Sequence, residues 1–273
     1  MSFFAKSYPW SFLPSSSLSM SRLDSRSIGT PREISSTVKS DIIANSGIAE
    51  SLHPVCQSGI IDLRNALFTR HNYEDAIKNY DSLWQLLAET VERTGSLWIL
   101  GSNLYDQELL PFPLDLAHRV ESLTDFKMKN VLAVFRESID SSKLLASAYY
   151  LIPFLVKAEE GYYFDKDSVR EPHVFKDIEW GKRIVGKSGY SDEEKPRYSP
   201  KGRDPGNVFY RTLRNGEGYV IAVNAYADEE IYDKLVKSST RKNGLVATNI
   251  ADRSFRRLVE GLGRKLTILE TSQ

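Results

Sequence analysis

The most constraining feature of this sequence is an amphipathic repeat that runs directly into a short apolar segment. Apolar side chains recur at helical spacing from Tyr80 to Val91, which predicts a helix of about four turns that ends at Thr94 and Gly95. The next residues, 96–101, are mostly apolar and predict a buried strand of the parallel type. A helix followed by a buried strand is typical of an α/β protein, in which helices cover a sheet.

Segments with the same character follow along the chain. Residues 113–123 predict a second amphipathic helix, and residues 126–135 predict a further strand whose second half is apolar throughout. Residues 148–156 and 161–164 predict two strands joined as a hairpin. This order predicts a sheet that is parallel at first and then antiparallel.

The carboxyl-terminal third predicts another hairpin and then a second alternation of strand and helix. Two strands, 209–212 and 219–223, flank a glycine-containing turn, and a helix begins near Asp228, a good N-cap residue. The segments after that helix predict a strand, a short helix and a last strand at residues 244–250, 253–262 and 265–270.

Composition limits the class of protein further. The chain has 273 residues and 41% hydrophobic content, which predicts one substantial core at residues 33–273. Its single cysteine, Cys56, excludes an internal disulfide and suits a reducing compartment such as the cytoplasm. No apolar run approaches the roughly 20 residues that span a bilayer, so no membrane partner is expected.

The first 32 residues differ in composition from the rest of the chain and are not predicted to belong to the fold. Serine is the dominant residue type there, and the predicted state of residues 1–32 is a disordered tail. The same composition is compatible with an organellar transit peptide, which stays open as an alternative.

Residues 166–214 form a basic segment in a chain with a formal net charge of +0. Twelve lysines and arginines stand against eight acidic residues, and periodicity is nearly absent, so a long loop is predicted. Basic side chains interleaved with aromatic ones can neutralise phosphates and stack on bases. A solvated loop of mixed charge is the alternative, which the acidic run 192–194 favours.

Near the end of this loop, residues 203–212 combine a basic Asp-Pro-Gly turn with a strand-like Asn-Val-Phe-Tyr-Arg-Thr run. This stretch, with the order of elements around it, resembles beta-class DNA amino-methyltransferases. These enzymes transfer a methyl group from S-adenosylmethionine to an exocyclic amine of cytosine or adenine. The resemblance implies a Rossmann-like class I methyltransferase sheet, mostly parallel with an antiparallel hairpin and with helices on both faces.

The resemblance also implies the positions of the catalytic loop. In the family a strand ends in a Ser/Asp/Asn-Pro-Pro-Tyr/Phe tetrad that holds the target amine. Residues 38–44 predict a short buried strand followed by Asn45, Ser46, Gly47 and Ile48. Asn45 and Ser46 are therefore the implied catalytic residues, although the two prolines and the aromatic ring of the tetrad are absent.

The implied cofactor residues lie near the carboxyl terminus. In the family a strand ends in a glycine-rich turn beside S-adenosylmethionine, and an acidic residue at the end of the next strand holds the ribose. The corresponding positions here are Thr248, Asn249 and Asp252 in the turn, with Glu270 at the end of the last strand. Residues 248–254 contain no glycine, which conflicts with close approach of the cofactor.

DNA is the partner that the resemblance implies, because related methyltransferases carry a DNA-facing insertion at the position that corresponds to the basic loop. The implied phosphate contacts are Lys182, Arg183, Lys187, Arg197, Lys201 and Arg203. Two functions of different classes follow. The first is an amino-methyltransferase of a restriction-modification type, and the second is a catalytically inactive homologue that binds DNA or a partner, as a homodimer or heterodimer. An α/β protein unrelated to nucleic acid is the third interpretation.

Overall fold

The computed structural model describes residues 55–106, 108–139, 147–173, 199–214 and 221–269. All of them belong to one compact unit, Ser46–Gln273. The predicted tail, the predicted domain boundary at residue 33 and the predicted strand 38–44 lie outside the described residues, and they stay predictions.

Strands and helices alternate along this part of the chain. The strands are β1 (Cys56–Asp62), β2 (Val91–Leu100), β3 (Leu104–Asp106), β4 (Glu108–Leu110), β5 (Lys127–Ile139), β6 (Ser147–Val156), β7 (Val208–Phe209), β8 (Arg211–Arg214), β9 (Ile221–Asn224), β10 (Leu245–Thr248) and β11 (Lys265–Ile268). The α-helices are α1 (Tyr73–Lys78), α2 (Asp81–Thr90), α3 (Phe112–Leu123), α4 (Asp228–Ser239) and α5 (Arg253–Gly261). Two short 3-10 helices lie at Arg70–Asn72 and Asp167–Val169.

Seven of the strands form one sheet in the order β11-β10-β1-β2-β6-β5-β7. β11, β10, β1 and β2 run parallel to one another, whereas β6 is antiparallel to both of its neighbours, β2 and β5. β7 pairs parallel with β5 at the far edge, and β3–β4 and β8–β9 form separate two-stranded sheets. The predicted mostly parallel α/β sheet with an antiparallel part is confirmed.

The two faces of the sheet bury separate cores, because successive strand residues point to opposite faces. One core joins the sheet to α2 and α3, and its large members are Ile61, Ile99, Trp84, Leu87 and Phe112. The other core joins the sheet to α4 and α5, and its large members are Ile60, Trp98, Phe154, Leu235 and Phe255. Helices therefore cover both faces, as predicted.

The central strand β1 lies in a region, residues 45–75, for which no element is predicted from the sequence. β1 has a hydrogen-bonded neighbour on each side and a core on each face, so its sequence shows no alternation. Ile60 and Ile61 are both fully buried although they point to opposite faces. Ser58 is buried as well, and its hydroxyl lies 2.6 Å from that of Thr240.

The predicted strand at 161–164 is wrong. β6 forms its hairpin with β5 instead, and the residues after it leave the sheet. Phe164 and Tyr162 pack on the ring of Phe154, with 5.5 and 6.0 Å between ring centroids. By covering the face of the sheet, these aromatic side chains contact the ring of Phe154. A strand paired at the edge of the sheet would not make these contacts.

The termini of α2 and α4 also differ in detail from the prediction. α2 ends at Thr90 rather than at the predicted Thr94, because Val91 is already extended, with φ −78° and ψ 130°, and buries its side chain. Branching at Cβ favours this strand conformation. α4 begins at Asp228 as predicted, but that residue is the first helical one and Ala227 is the N-cap.

Candidate functional site

The order of the strands reverses between β10 and β1. From β10 the chain continues outward to β11, whereas from β1 it continues in the other direction to β2. In open parallel sheets a crevice forms at the carboxyl ends of the strands where the order reverses, and ligands bind there. Asp62 ends β1 and Asn249 follows directly after β10, so these two residues mark the crevice.

Side chains from the end of β10 are tied to the backbone of β1 at the floor of the crevice. The Asp62 amide donates to Asn249 Oδ1 at 2.8 Å, and Asn249 Nδ2 donates to the Asp62 carbonyl at 2.9 Å. Thr248 Oγ1 donates to the Ile60 carbonyl at 2.6 Å. Thr248 and Asn249 therefore continue the pairing of the two strands, and their polar atoms are engaged within the protein.

Arg64 connects the end of β1 to α4 at the mouth of the crevice. Its Nη2 donates to Asp62 Oδ2 at 2.7 Å and its Nη1 donates to Asp228 Oδ1 at 2.6 Å. The Tyr232 hydroxyl accepts from Arg64 Nη2 at 2.8 Å and donates to Asp62 Oδ2 at 2.6 Å. We call Asp62, Arg64, Asp228 and Tyr232 the Arg64 cluster. It fastens the first turn of α4 to the end of β1.

Burial and charge determine the ionisation of this cluster. The side chains of Asp62 and Arg64 are 14% and 17% exposed. Burial by itself would raise the pKa of Asp62, but the hydrogen bonds and charge of Arg64, with the Tyr232 hydroxyl, hold that pKa below its usual value. Burial raises the pKa of Tyr232 and raises the pKa of Tyr150 to about 12. At neutral pH, Asp62 is therefore a carboxylate and both tyrosines are neutral.

The ionised state of Asp62 predicts a pH dependence of stability. A carboxyl pKa that is lower in the folded protein stabilises it above the unfolded value, about 3.9, and this stabilisation is lost as the pH falls through the folded value. We expect the free energy of unfolding of the wild type to fall more steeply below about pH 4 than that of Asp62→Asn. Urea unfolding across a pH series measures the free energy of unfolding of both proteins. If the two free energies fell in parallel with pH, the lowered pKa of Asp62 would be contradicted.

The turn between β10 and α5 is closed by its own side chains. Asp252 is the N-cap of α5, and its Oδ1 accepts from the Ser254 amide at 3.2 Å. Hydrogen bonds from Ser254 lower the pKa of Asp252, so its carboxylate is charged. A helix N-terminus beside such a crevice ordinarily attracts an anionic ligand group, and here that position holds a carboxylate of the protein itself.

The structure brings together three of the predicted cofactor residues, Thr248, Asn249 and Asp252, beside the crevice. Glu270, Asn45 and Ser46 lie outside the described residues. β1 lies between β10 and β2, so the loop that follows it at the crevice is Asp62-Leu63-Arg64-Asn65, and the predicted catalytic loop at 45–48 stays a prediction. The prediction missed it because β1 carries no periodic signal.

The predicted phosphate-binding loop is described only in part. Lys182, Arg183, Lys187 and Arg197 lie outside the described residues. Lys201 forms an ion pair with Asp167, and Arg203 forms one with Glu171. Glu171 also pairs with Lys234, at 3.1 Å. The two predicted phosphate contacts that are described, Lys201 and Arg203, therefore each have an acidic partner within the protein.

The Asp-Pro-Gly turn lines a cavity of about 360 Å³ on the face covered by α4. The sheet contributes Trp98, Leu132 and Phe209 to the wall, which also includes Asp204 and its ion-pair partner Lys166. Trp98 is stacked on Phe154, a neighbour outside that wall, with 4.1 Å between ring centroids. This cavity is separate from the crevice.

The residues that the sequence-based prediction missed are Asp62, Arg64 and Tyr232. A signal for Asp62 was available, since residues 58–62 form a short run of small and apolar residues that ends in this acid. Tyr232 lies four residues after Asp228 on a predicted helix, a spacing that places both on one face. The Tyr232–Asp62 hydrogen bond joins residues that are 170 positions apart in the sequence, so no local pattern indicates it.

No protein-family model matches this chain, and no curated protein matches it. Solved structures do. The PvuII cytosine-N4-specific DNA methyltransferase aligns with a TM-score of 0.52 and 11% identity, over 81% of this chain and 76% of that one. TTHA0409, a putative DNA modification methylase from Thermus thermophilus, aligns in its complex with S-adenosyl-L-methionine with a TM-score of 0.50 and 13% identity, over 79% and 81%. These likenesses establish a methyltransferase fold.

Two kinds of feature are absent from the part of the chain that the structure describes. Among these residues, no group of three or more His, Cys, Asp or Glu side chains could hold a metal ion. Within the same ranges, no helix has the length and apolar character needed to cross a membrane.

Proposed function

We propose that this chain is a DNA methyltransferase-like protein that does not transfer methyl groups and serves as a DNA-binding or partner-binding subunit. The observation that carries this proposal is the Arg64 cluster, which lies at the crevice between β1 and β10, where open parallel sheets ordinarily bind ligands. Both carboxylate oxygens of Asp62 accept hydrogen bonds from Arg64, at 3.0 and 2.7 Å. Neither oxygen of that carboxylate is left without a partner to offer to a substrate amine.

The residues around the crevice do not fit S-adenosylmethionine. Close approach of a ligand to a strand-to-helix turn needs glycine, because any Cβ takes up the space, and residues 248–254 contain none. The amide of Asn249 is bonded to Asp62, and the Asp252 carboxylate lies where the carboxylate of the cofactor's methionine part would bring a second negative charge. Two like charges at one helix N-terminus repel each other.

An active amino-methyltransferase is the second candidate, and one observation favours it. Asp62 stands at the end of the strand next to β10, and aspartate is one of the residue types that open the tetrad of the resembling family. Leu63, Arg64 and Asn65 then replace Pro-Pro-Tyr. Activity would require Arg64 to leave Asp62, which exposes a buried carboxylate to the crevice.

Calorimetric titration with S-adenosylmethionine tests the proposal. We expect no saturable heat from the wild type at millimolar cofactor, and no methyl transfer to DNA. The Thermus thermophilus methylase, whose structure contains this cofactor, is the positive control. Saturable binding that Glu270→Ala weakens, together with methyl transfer, would support the active enzyme and overturn the proposal.

The proposed partners are DNA and an active methyltransferase. A subunit without its own chemistry contributes through binding, and the solved neighbours named above are DNA methyltransferases. The predicted homodimer or heterodimer belongs to this proposal, and the mass of the protein in solution, alone and with a DNA duplex, is the measurement that addresses it.

A further inference from the structure

Helix α5 has two sharply different faces. Phe255 and Val259 are buried against the sheet. Arg253, Arg256 and Arg257 are exposed on the opposite face, and we call these three residues the α5 basic face. Positions three and four apart lie together on a helix surface, so the three guanidinium groups share one side.

The charge around α5 is strongly one-sided. Residues 241–265 contain seven lysines and arginines and only two acids, in a chain whose net charge is +0. Both acids are engaged, since Asp252 caps the helix and Glu260 lies 3.7 Å from Arg256. The local charge of +5, seven cations less two acids, is therefore not balanced by free carboxylates in this segment.

Two guanidinium groups of the α5 basic face are available for a ligand. Neither Arg253 nor Arg257 has an ion-pair or side-chain hydrogen-bond partner among the described residues. Arg264, by contrast, donates to the Thr240 carbonyl, and Arg241 lies over the ring of Tyr163. The nearby cations that stabilise the fold are thus distinct from those that face solvent.

The α5 basic face also lowers the stability of its own helix. Arg253 is the first helical residue, where the positive end of the helix dipole disfavours a cation. Arg253 and Arg257 form a like-charged pair at i,i+4, a spacing at which two like charges destabilise a helix. Local choices that oppose the fold are expected at functional positions, and a bound anion would offset both effects.

We infer that the α5 basic face binds the phosphodiester backbone of nucleic acid. The inference rests on the proposed function and moves the contact from the loop to the helix, because Lys201 and Arg203, the two predicted phosphate contacts that are described, are already ion-paired. Arg253 and Arg257 are about 6 Å apart along the helix axis. Successive phosphates of one strand are about 3.4 Å apart along a duplex, so the spacing of the two arginines is close to that of two phosphates separated by one other. Arginine is suited to this role because its planar group donates to phosphate in pairs.

Charge reversal in two matched pairs tests the inference. The variants are Arg253→Glu with Arg257→Glu, and Lys201→Glu with Arg203→Glu, which change the net charge equally. With a short duplex of random sequence as the probe, we expect the α5 variant to lose about tenfold or more in affinity. Its salt dependence, as log K against log salt, should become shallower by about 2. The loop variant should stay close to the wild type.

The α5 variant is expected to remain folded, since glutamate at the first helical position interacts favourably with the helix dipole. An unchanged thermal midpoint checks this directly. A wild type that does not bind duplex would overturn the DNA-binding part of the proposed function. Wild-type binding that the loop variant loses and the α5 variant keeps would overturn the inference alone. Binding to phosphatidylserine vesicles that depends on the α5 basic face, without binding to nucleic acid, would also overturn the inference.

Discussion

Replacing Arg64 with leucine is expected to lower the free energy of unfolding by about 3–5 kcal/mol, the largest effect expected of any single substitution in the crevice. Leucine leaves the mostly buried carboxylate of Asp62 without its cation, and it also releases Asp228 on α4. Urea unfolding followed by circular dichroism at neutral pH measures the change.

The surface ion pair of Arg119 with Asp81 provides a matched control. Its side chains are 33% and 28% exposed, so Arg119→Leu should destabilise the protein much less than Arg64→Leu does. Adding Asp62→Leu to Arg64→Leu removes the unpaired charge and should recover much of the loss, since apolar replacements of buried pairs are often neutral. A double variant as unstable as the single one would show that lost packing, not the unpaired carboxylate, causes the effect.

Acid provides a second test of the same substitution. In Arg64→Leu the burial that raises the pKa of Asp62 persists while the opposing charge is gone, so this carboxyl should protonate more readily than usual. The stability deficit relative to the wild type should therefore shrink as the pH is lowered. A deficit that is constant with pH would contradict a role of the charge.

Replacing Trp98 with alanine is expected to cost about 3–5 kcal/mol, the second large effect. The Trp98 side chain is only 2% exposed and stacks on Phe154, with 4.1 Å between ring centroids. Its removal would join the space it fills to the cavity lined by the Asp-Pro-Gly turn. Thermal and urea unfolding of the variant and the wild type measure the loss.

Trp98→Phe is the matched control, and we expect it to cost less than about 1.5 kcal/mol. Phenylalanine keeps an aromatic ring for the stack, and it removes the indole Nε1, which is buried without a hydrogen-bond partner among the described residues. A buried unpaired donor is unfavourable, so its loss offsets part of the lost contact area. A Trp98→Phe variant as unstable as Trp98→Ala would show that Nε1 has a partner, such as a bound water.

The two predictions concern different parts of one sheet. The Arg64 cluster closes the crevice at the carboxyl ends of β10 and β1, and Trp98 supports the face below α4. A protein in which only the first of these is altered keeps its core, so Arg64 variants are also the ones in which cofactor binding is best sought. Heat on titration with S-adenosylmethionine in Arg64→Ala but not in the wild type would identify the cluster as the closing element.

What the sequence determined by itself lies within single elements and their immediate neighbours. The unit β10–α5–β11 was predictable because a buried strand, an amphipathic helix and a glycine turn are all local signals, and Gly263 adopts the positive φ of 71° that such a turn needs. The alternation of these units predicted the α/β sheet, and the residues after β10 predicted part of the crevice.

Only the tertiary structure decided which strand stands beside β10 and what fills the crevice. Ser58 of β1 pairs with Val246 of β10 across nearly the whole described chain, and Arg64 reaches Asp228 over 164 positions. Such contacts leave no periodic trace in the sequence, because a strand buried on both faces shows no alternation and an ion pair depends on the folded positions of its two ends. For the same reason, only the structure distinguished Lys201 and Arg203, which are ion-paired, from Arg253 and Arg257, which have no ion-pair partner among the described residues.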